Sequence, residues 1–277
     1  MGLRINQNIT AFNAYRNLTV SDGSLSKSLE KLSSGFRINR AADDAAGLVI
    51  SENLRSQVGG LRVAARNAQD GISVVQTAEG ALTEVHSMLQ RMRDLVLQAA
   101  NGSSDADAKA AIDAELDALT AEITRVGDST RFGSKTLLDG SVTSLSFQVG
   151  SNAGDQISVT FSDMRSTAIG ASGSALNTVD VTSTQTLGEQ LTIIDEAIKD
   201  VSTLRGNLGA AQNRFEHTVA NLGVAVENLA ASESRIRDAD MAAEMVQFTR
   251  HQIMLQAGTA MLAQANAAPQ SVLGLLQ

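Results

Sequence analysis

Residues 54–99 read LRSQVGGLRVAARNAQDGISVVQTAEGALTEVHSMLQRMRDLVLQA, and the fold follows from their spacing. Taking every third or fourth residue gives Leu54, Val58, Leu61, Ala65, Ala68, Ile72, Val75, Ala78, Leu82, Val85, Leu89, Met92, Val96 and Ala99, all apolar. Steps of four and three alternate, as in the seam of a helix packed along other helices. The succession Ile72, Val75, Ala78 takes two steps of three, a stammer that overwinds a supercoil locally without ending the helix. No proline interrupts the stretch. At about 1.5 Å per residue such a helix is ~70 Å long. A rod of that kind cannot bury its stripe alone and requires partners of comparable length.

The partners lie on either side. Ile5, Ile9 and Phe12 share a face; Leu18, Leu25 and Leu32 recur at seven, with Leu29 and Phe36 as a second row. This spacing predicts a helix over residues 5–33, closed by Gly35 in the left-handed conformation. The charged interlude 36–47 follows, in which Arg40 and Asp44 stand four apart, the spacing of a solvated ion pair. Asn101-Gly102 ends the long helix. Ser103, Ser104 or Asp105 would cap a third, striped by Ile112, Leu116, Leu119, Ile123 and Val126, which a short connection turns back along the second.

The period then changes to two. Leu145, Phe147 and Val149 alternate with polar residues, as do Ile157, Val159 and Phe161, around Gly150–Asp155: a β-hairpin. Residues 166–186 are rich in Ser, Thr, Gly and Ala and read as a surface loop or short variable insert. Helical spacing returns with Leu187, Leu191, Ile194, Ile198 and Val201, then Leu208, Phe215, Val219, Leu222, Val226, Leu229 and Ile236. A last segment carries Met241, Met245, Phe248, Leu255 and Leu262, beside a second row of Val246, Ile253, Ala257 and Ala260. It is expected to end at Ala267-Ala268-Pro269, ahead of an apolar tail. The expected fold is mainly α: a long antiparallel coiled-coil rod with paired N- and C-terminal helices and a small β-hairpin at its tip.

Composition narrows function. The net charge is -8, from 22 basic and 30 acidic residues, unlike the basic face of a nucleic-acid binder. Aromatics make up 3% of the residues and cysteine is absent, so thiol chemistry and disulfides do not arise. The first residues lack the basic-then-apolar pattern of a cleavable secretory signal, and no window is apolar enough to insert in a membrane. His86, His217 and His251 stand singly, no phosphate-binding loop or nucleophile elbow occurs, and Asp43-Asp44 as helical neighbours would point about 100° apart. Catalysis, metal binding and cofactor binding are not expected. The wide apolar faces of the two terminal segments leave two readings open: a bundle complete as a monomer, or a subunit that buries those faces against copies of itself in a helical filament.

Longer motifs carry a resemblance. Arg4-Ile5-Asn6-Gln7-Asn8-Ile9, Leu32-Ser33-Ser34-Gly35-Phe36-Arg37-Ile38-Asn39, Ala41–Leu48, Ser234–Asp240, Leu262–Asn266 and Pro269–Leu273 all resemble bacterial flagellin. The resemblance covers roughly residues 1–165 and 185–277. It implies an extracellular structural subunit of the flagellar filament, polymerising with itself for swimming motility. Segments 1–35 and 236–277 would form the inner tube, D0. Segments 48–165 and 187–235 would form the outer tube, D1, with 36–47 as the connecting spoke and 166–186 too short for further outer domains.

The same resemblance implies inner-tube contacts at Ile5, Ile9, Phe12, Leu18, Leu25, Leu29, Leu32, Met245, Phe248, Leu255 and Leu262, and spoke residues Arg37, Asn39, Arg40, Asp43 and Asp44. Implied partners are a flagellin export chaperone, the flagellar type III export apparatus, and the filament cap and junction proteins. Leu89–Leu95 and Ala121-Glu122-Ile123 resemble the motif read by the innate-immune Toll-like receptor, implying Arg91, Leu95 and Glu122 as contacts; filament packing competes for that surface. The alternatives are a hook–filament junction protein of the same axial family and a non-polymerising coiled-coil binding module.

Overall fold

The computed structural model of the chain describes residues 7–101, 105–171, 173–182 and 186–274, with backbone alone from residue 269 onward. Ile5, Ser103, Ser104, Leu275 and Leu276 therefore lie outside the described residues. The helices are α1 (Ile9–Ser34), α2 (Ala45–Ala99), α3 (Ala106–Ser129), α4 (Leu187–Arg237) and α5 (Met241–Gly274). Between α3 and α4 lie three antiparallel strand pairs: β1 (Arg131–Phe132) with β2 (Lys135–Thr136), β3 (Ser144–Gln148) with β4 (Gln156–Thr160), and β5 (Gly170–Ala171) with β6 (Ser174–Ala175). The chain forms two compact units, residues 59–226 and residues 1–58 with 227–277, whose boundaries fall inside α2 and α4.

In the 59–226 unit the predicted seam is the core. From Ala68 onward its positions are buried, except half-buried Ile72, so the stammer carries the stripe through unbroken. α4 answers it in antiparallel register. Glu79 lies 3.8 Å from Arg205, and further along α2 Arg93 lies 2.9 Å from the earlier residue Asp195. These pairs are solvent-facing and contribute little energy; they mark register. Beside the stammer, Gly71 admits the ring of Phe215: a Cβ on Gly71 would stand 2.7 Å from Phe215 Cζ. Phe147 of β3 meets the same ring edge-on, with centroids 5.4 Å apart. α3 turns back on α2 through an Arg91–Glu115 pair at 2.8 Å and buries Ile112, Leu116 and Ile123; Asp105 caps it by accepting the Ala108 N–H.

The hairpin has the expected register, Leu145 opposite Val159 and Phe147 opposite Ile157, with Ile157 and Val159 buried. It is not a tip beyond the helices. Asn67 Nδ2 donates to the Gln148 carbonyl, and Ser151 in the loop packs at Gly60. Phe147 draws the hairpin alongside α2 and α4, where its ring has a partner. Segment 166–186 is also more than a surface loop. Ile169, Leu176 and Val179 are buried there, and Ser166 shares a hydrogen bond with Thr124 at 2.7 Å. Three large apolar residues scattered among Ser, Thr, Gly and Ala are too few to establish a period, so this contribution is invisible to a pattern search. Leu187, expected on the stripe, is exposed in the first turn of α4.

Element ends shift for local reasons. α1 starts at Ile9 because Asn8 Oδ1 accepts the Ala11 N–H, a side-chain cap. Gly35, at φ 76°, ends α1 as predicted. α2 begins three residues inside the interlude, since Asp44 Oδ1 accepts the Gly47 N–H. Asp240 does the same for Ala242 and Ala243, which puts the α4–α5 break at 238–240 rather than at 235. α5 passes through Pro269 without ending. Proline keeps helical φ; it removes one donor and crowds the carbonyl four residues earlier, a defect that bends a helix without always ending it.

Candidate functional site

The unit made of residues 1–58 and 227–277 holds the residues with unmet surface. α1 and α5 pair in antiparallel fashion: Asn8 Nδ2 reaches the Ala265 carbonyl at 2.7 Å, and Gly258 packs on Leu18. The half-buried or buried positions of α1 include Ala11, Ala14, Leu18, Ser21, Leu25, Ser28 and Leu32, a line of three- and four-residue steps. Those of α5 include Glu244, Phe248, His251, Leu255, Gly258, Leu262 and Ala265, on the same spacing. Of the inner-tube residues implied above, Leu18, Leu25, Leu32, Phe248, Leu255 and Leu262 thus lie on covered stripes, while Ile9, Phe12, Leu29 and Met245 are exposed.

The pair covers one stripe per helix. Phe12 is 72% exposed and Val246 66% exposed, with Tyr15, Val20, Ile253 and Met261 uncovered as well. Among the described residues of this unit, the buried apolar side chains are Ile38 and Val58. α5 is apolar on more than one face, and a helix of that kind belongs inside something. One neighbour cannot provide that surrounding.

A polar junction joins the interlude to the ends of α4 and α5. The Arg37 N–H donates to the Arg237 carbonyl at 2.7 Å and Arg37 Nη2 to the Ile236 carbonyl at 2.6 Å; the Ala239 N–H returns to the Gly35 carbonyl at 2.9 Å. Arg237 Nη1 donates to Glu52 Oε1 at 2.6 Å, and its guanidinium lies 4.8 Å from the centroid of Phe36. Asn39 donates to Ser34 Oγ at 2.7 Å. The Arg40–Asp44 pair suggested by spacing does not form: Arg40 bonds Glu30 at 2.8 Å, and Asp44 caps α2. Nor do Asp43 and Asp44 sit on a helix. Asp43 closes a turn by accepting from the Arg40 and Asn39 N–H groups, the first of which is the main reason its carboxyl lies below the ordinary range.

The interlude residues Asn39, Arg40, Asp43 and Asp44 are thus engaged within about ten residues of chain, while Arg37 reaches the end of α4. Arg237 and Glu52 complete the junction with Phe36; their pairing escaped the sequence reading, because an ion pair between residues 52 and 237 has no periodic signature. The receptor-type residues divide. Arg91 and Glu122 are exposed or half-exposed and paired with Glu115 and Arg125. Leu95 is 2% exposed and belongs to the core, so its side chain has no surface to present; its position beside Val96 on the inner face of α2 decides this.

Residues 5–143 match the family described as "Bacterial flagellin N-terminal helical region", and residues 191–276 match "Bacterial flagellin C-terminal helical region". The chain is 50% identical over 304 residues to a protein named flagellin from Bacillus subtilis (strain 168), covering 99% of this chain and 100% of that protein. It is 51% identical over 273 residues to a flagellin of Halalkalibacterium halodurans, covering 99% of each. A solved structure titled as a putative flagellar hook-associated protein from Vibrio parahaemolyticus overlays with TM-score 0.62 at 16% identity, covering 71% of this chain and 100% of that one, a likeness of fold alone.

Proposed function

Given that this chain belongs to the bacterial flagellin family, and is a structural filament subunit rather than an enzyme, we propose that it polymerises by burying the uncovered faces of α1 and α5 against sister copies. The observation that carries this is the terminal unit's shortage of core beside its row of exposed large apolar side chains. Fully burying one such side chain is worth about 1.5–3 kcal/mol. Repeated along two helices and over every subunit, that gain works against the entropy lost on association. A contact that does not close on itself propagates as a helix of subunits.

In this reading segments 1–35 and 236–277 make the inner tube, 36–47 the spoke, and 48–165 with 187–235 the outer tube. The flagellar type III apparatus exports the chain. A flagellin chaperone shields α5 beforehand, consistent with its exposed Met245, Val246 and Ile253. Cap and junction proteins meet the growing end. Arg91 and Glu122 are the accessible part of a Toll-like receptor contact, without Leu95. Near-complete coverage at about 50% identity to flagellins favours the filament over a hook–filament junction role.

The test uses full-length Val246→Asp, with filament fragments as seeds and electron microscopy as readout. Because Val246 is uncovered in the single chain, the monomer's circular dichroism and melting should match the parent. Growth should stop, since burying an unpaired carboxylate is strongly unfavourable. Growth at the parent rate would overturn the reading.

A further inference from the structure

In an α-helix each N–H bonds the carbonyl four residues earlier. The Ala265 carbonyl would therefore take its bond from residue 269, which is the chain's one proline and has no N–H to give. α5 nevertheless continues to Gly274. Ala265 is half-buried on the stripe that pairs with α1, where an unmet carbonyl is costly. At that carbonyl, 2.7 Å away, stands the side-chain amide of Asn8.

We propose that Asn8 supplies the hydrogen-bond donor that Pro269 removes. The same side chain has its oxygen turned to its own helix, accepting the Ala11 N–H at 3.0 Å and the Thr10 hydroxyl at 2.6 Å. One asparagine thus closes two defects, the open N-terminus of α1 and the orphaned carbonyl of α5. At the other end of the pair the Ala239 N–H meets the Gly35 carbonyl, and between the two ends Gly258 packs on Leu18, so the Asn8 bond closes the far end of a seam whose alignment is already held.

The inference concerns the free chain and is tested there, independently of assembly. Asn8→Ser keeps the α1 cap, since serine caps as well as asparagine, but loses the amide that reaches the Ala265 carbonyl and adds no charge. Pro269→Ala returns an N–H to Ala265. Amide hydrogen exchange of full-length monomer should show α1 protection falling about threefold to tenfold in Asn8→Ser. In the Pro269→Ala background the same substitution should change it by less than about twofold, because the carbonyl already has its donor. Equal losses in both backgrounds would overturn the donor role. That failure does not touch the Val246→Asp result, which reads assembly instead.

Discussion

The 59–226 unit and the terminal unit are written in the same code of apolar residues at three and four, yet only one of them has an interior. In the first, α2, α3, α4 and the β3–β4 hairpin enclose the stripe from several sides, and Val75, Leu82, Leu89, Val201 and Phe215 vanish from the surface. In the second, α1 and α5 have only each other, and Phe12 and Val246 remain exposed. Periodicity specifies which face of a helix seeks cover. The number of neighbours specifies whether it finds any. The difference assigns stability to one unit and appetite for partners to the other.

The sharpest way to break this comparison is to truncate an aromatic in each unit. Phe215→Ala removes a fully buried ring shared by Gly71 and Phe147 and should cost about 3–5 kcal/mol, read as a lower midpoint in denaturant or heat. Phe12→Ala should leave the monomer's midpoint unchanged while slowing seeded growth. If the two variants melt alike, the terminal unit has a core that exposure does not reveal.

A smaller effect is expected at the stammer. Gly71→Ala adds a methyl 2.7 Å from Phe215 Cζ, and the displaced ring should cost about 1–3 kcal/mol. The control is Gly80→Ala, where the added carbon meets nothing within 4 Å and the helix should gain slightly. Equal melting of the two would show that Phe215 does not depend on a glycine opposite it.

The smallest effect is acid sensitivity. Hydrogen bonds from Ser141 and Thr136 hold the Asp139 carboxyl down to about 2. Its value in the unfolded chain is near 3.9. A folded value below the unfolded one means that the stabilisation is present above about pH 4 and is lost as pH falls towards 2. Asp163, lowered chiefly by its hydrogen bonds from Arg165, follows the same sign. Melting midpoints between pH 5 and 2 should therefore decline less steeply in Asp139→Asn than in the parent. An identical slope would remove Asp139 as a contributor.

Much of this was legible beforehand. The walk from Leu54 to Ala99 marks a real seam, Gly35 closes α1, the hairpin keeps its register, and the motifs quoted for flagellin agree with the family match. Less legible were Arg237 with Glu52, Ile169 and Leu176 in a segment that reads as loop, and the inward position of Leu95. Each depends on one residue meeting another far away in the chain, which leaves no repeat to detect.

The residues alone determined the helices, their apolar faces and the absence of catalytic constellations, because those properties are local or periodic. Tertiary structure alone decided which faces are covered, where the hairpin lies, that Arg40 pairs with Glu30, and that Asn8 meets the carbonyl Pro269 leaves open. Covering a face or satisfying an orphaned group requires a second surface at a definite distance, and linear spacing carries no information about distance between remote segments.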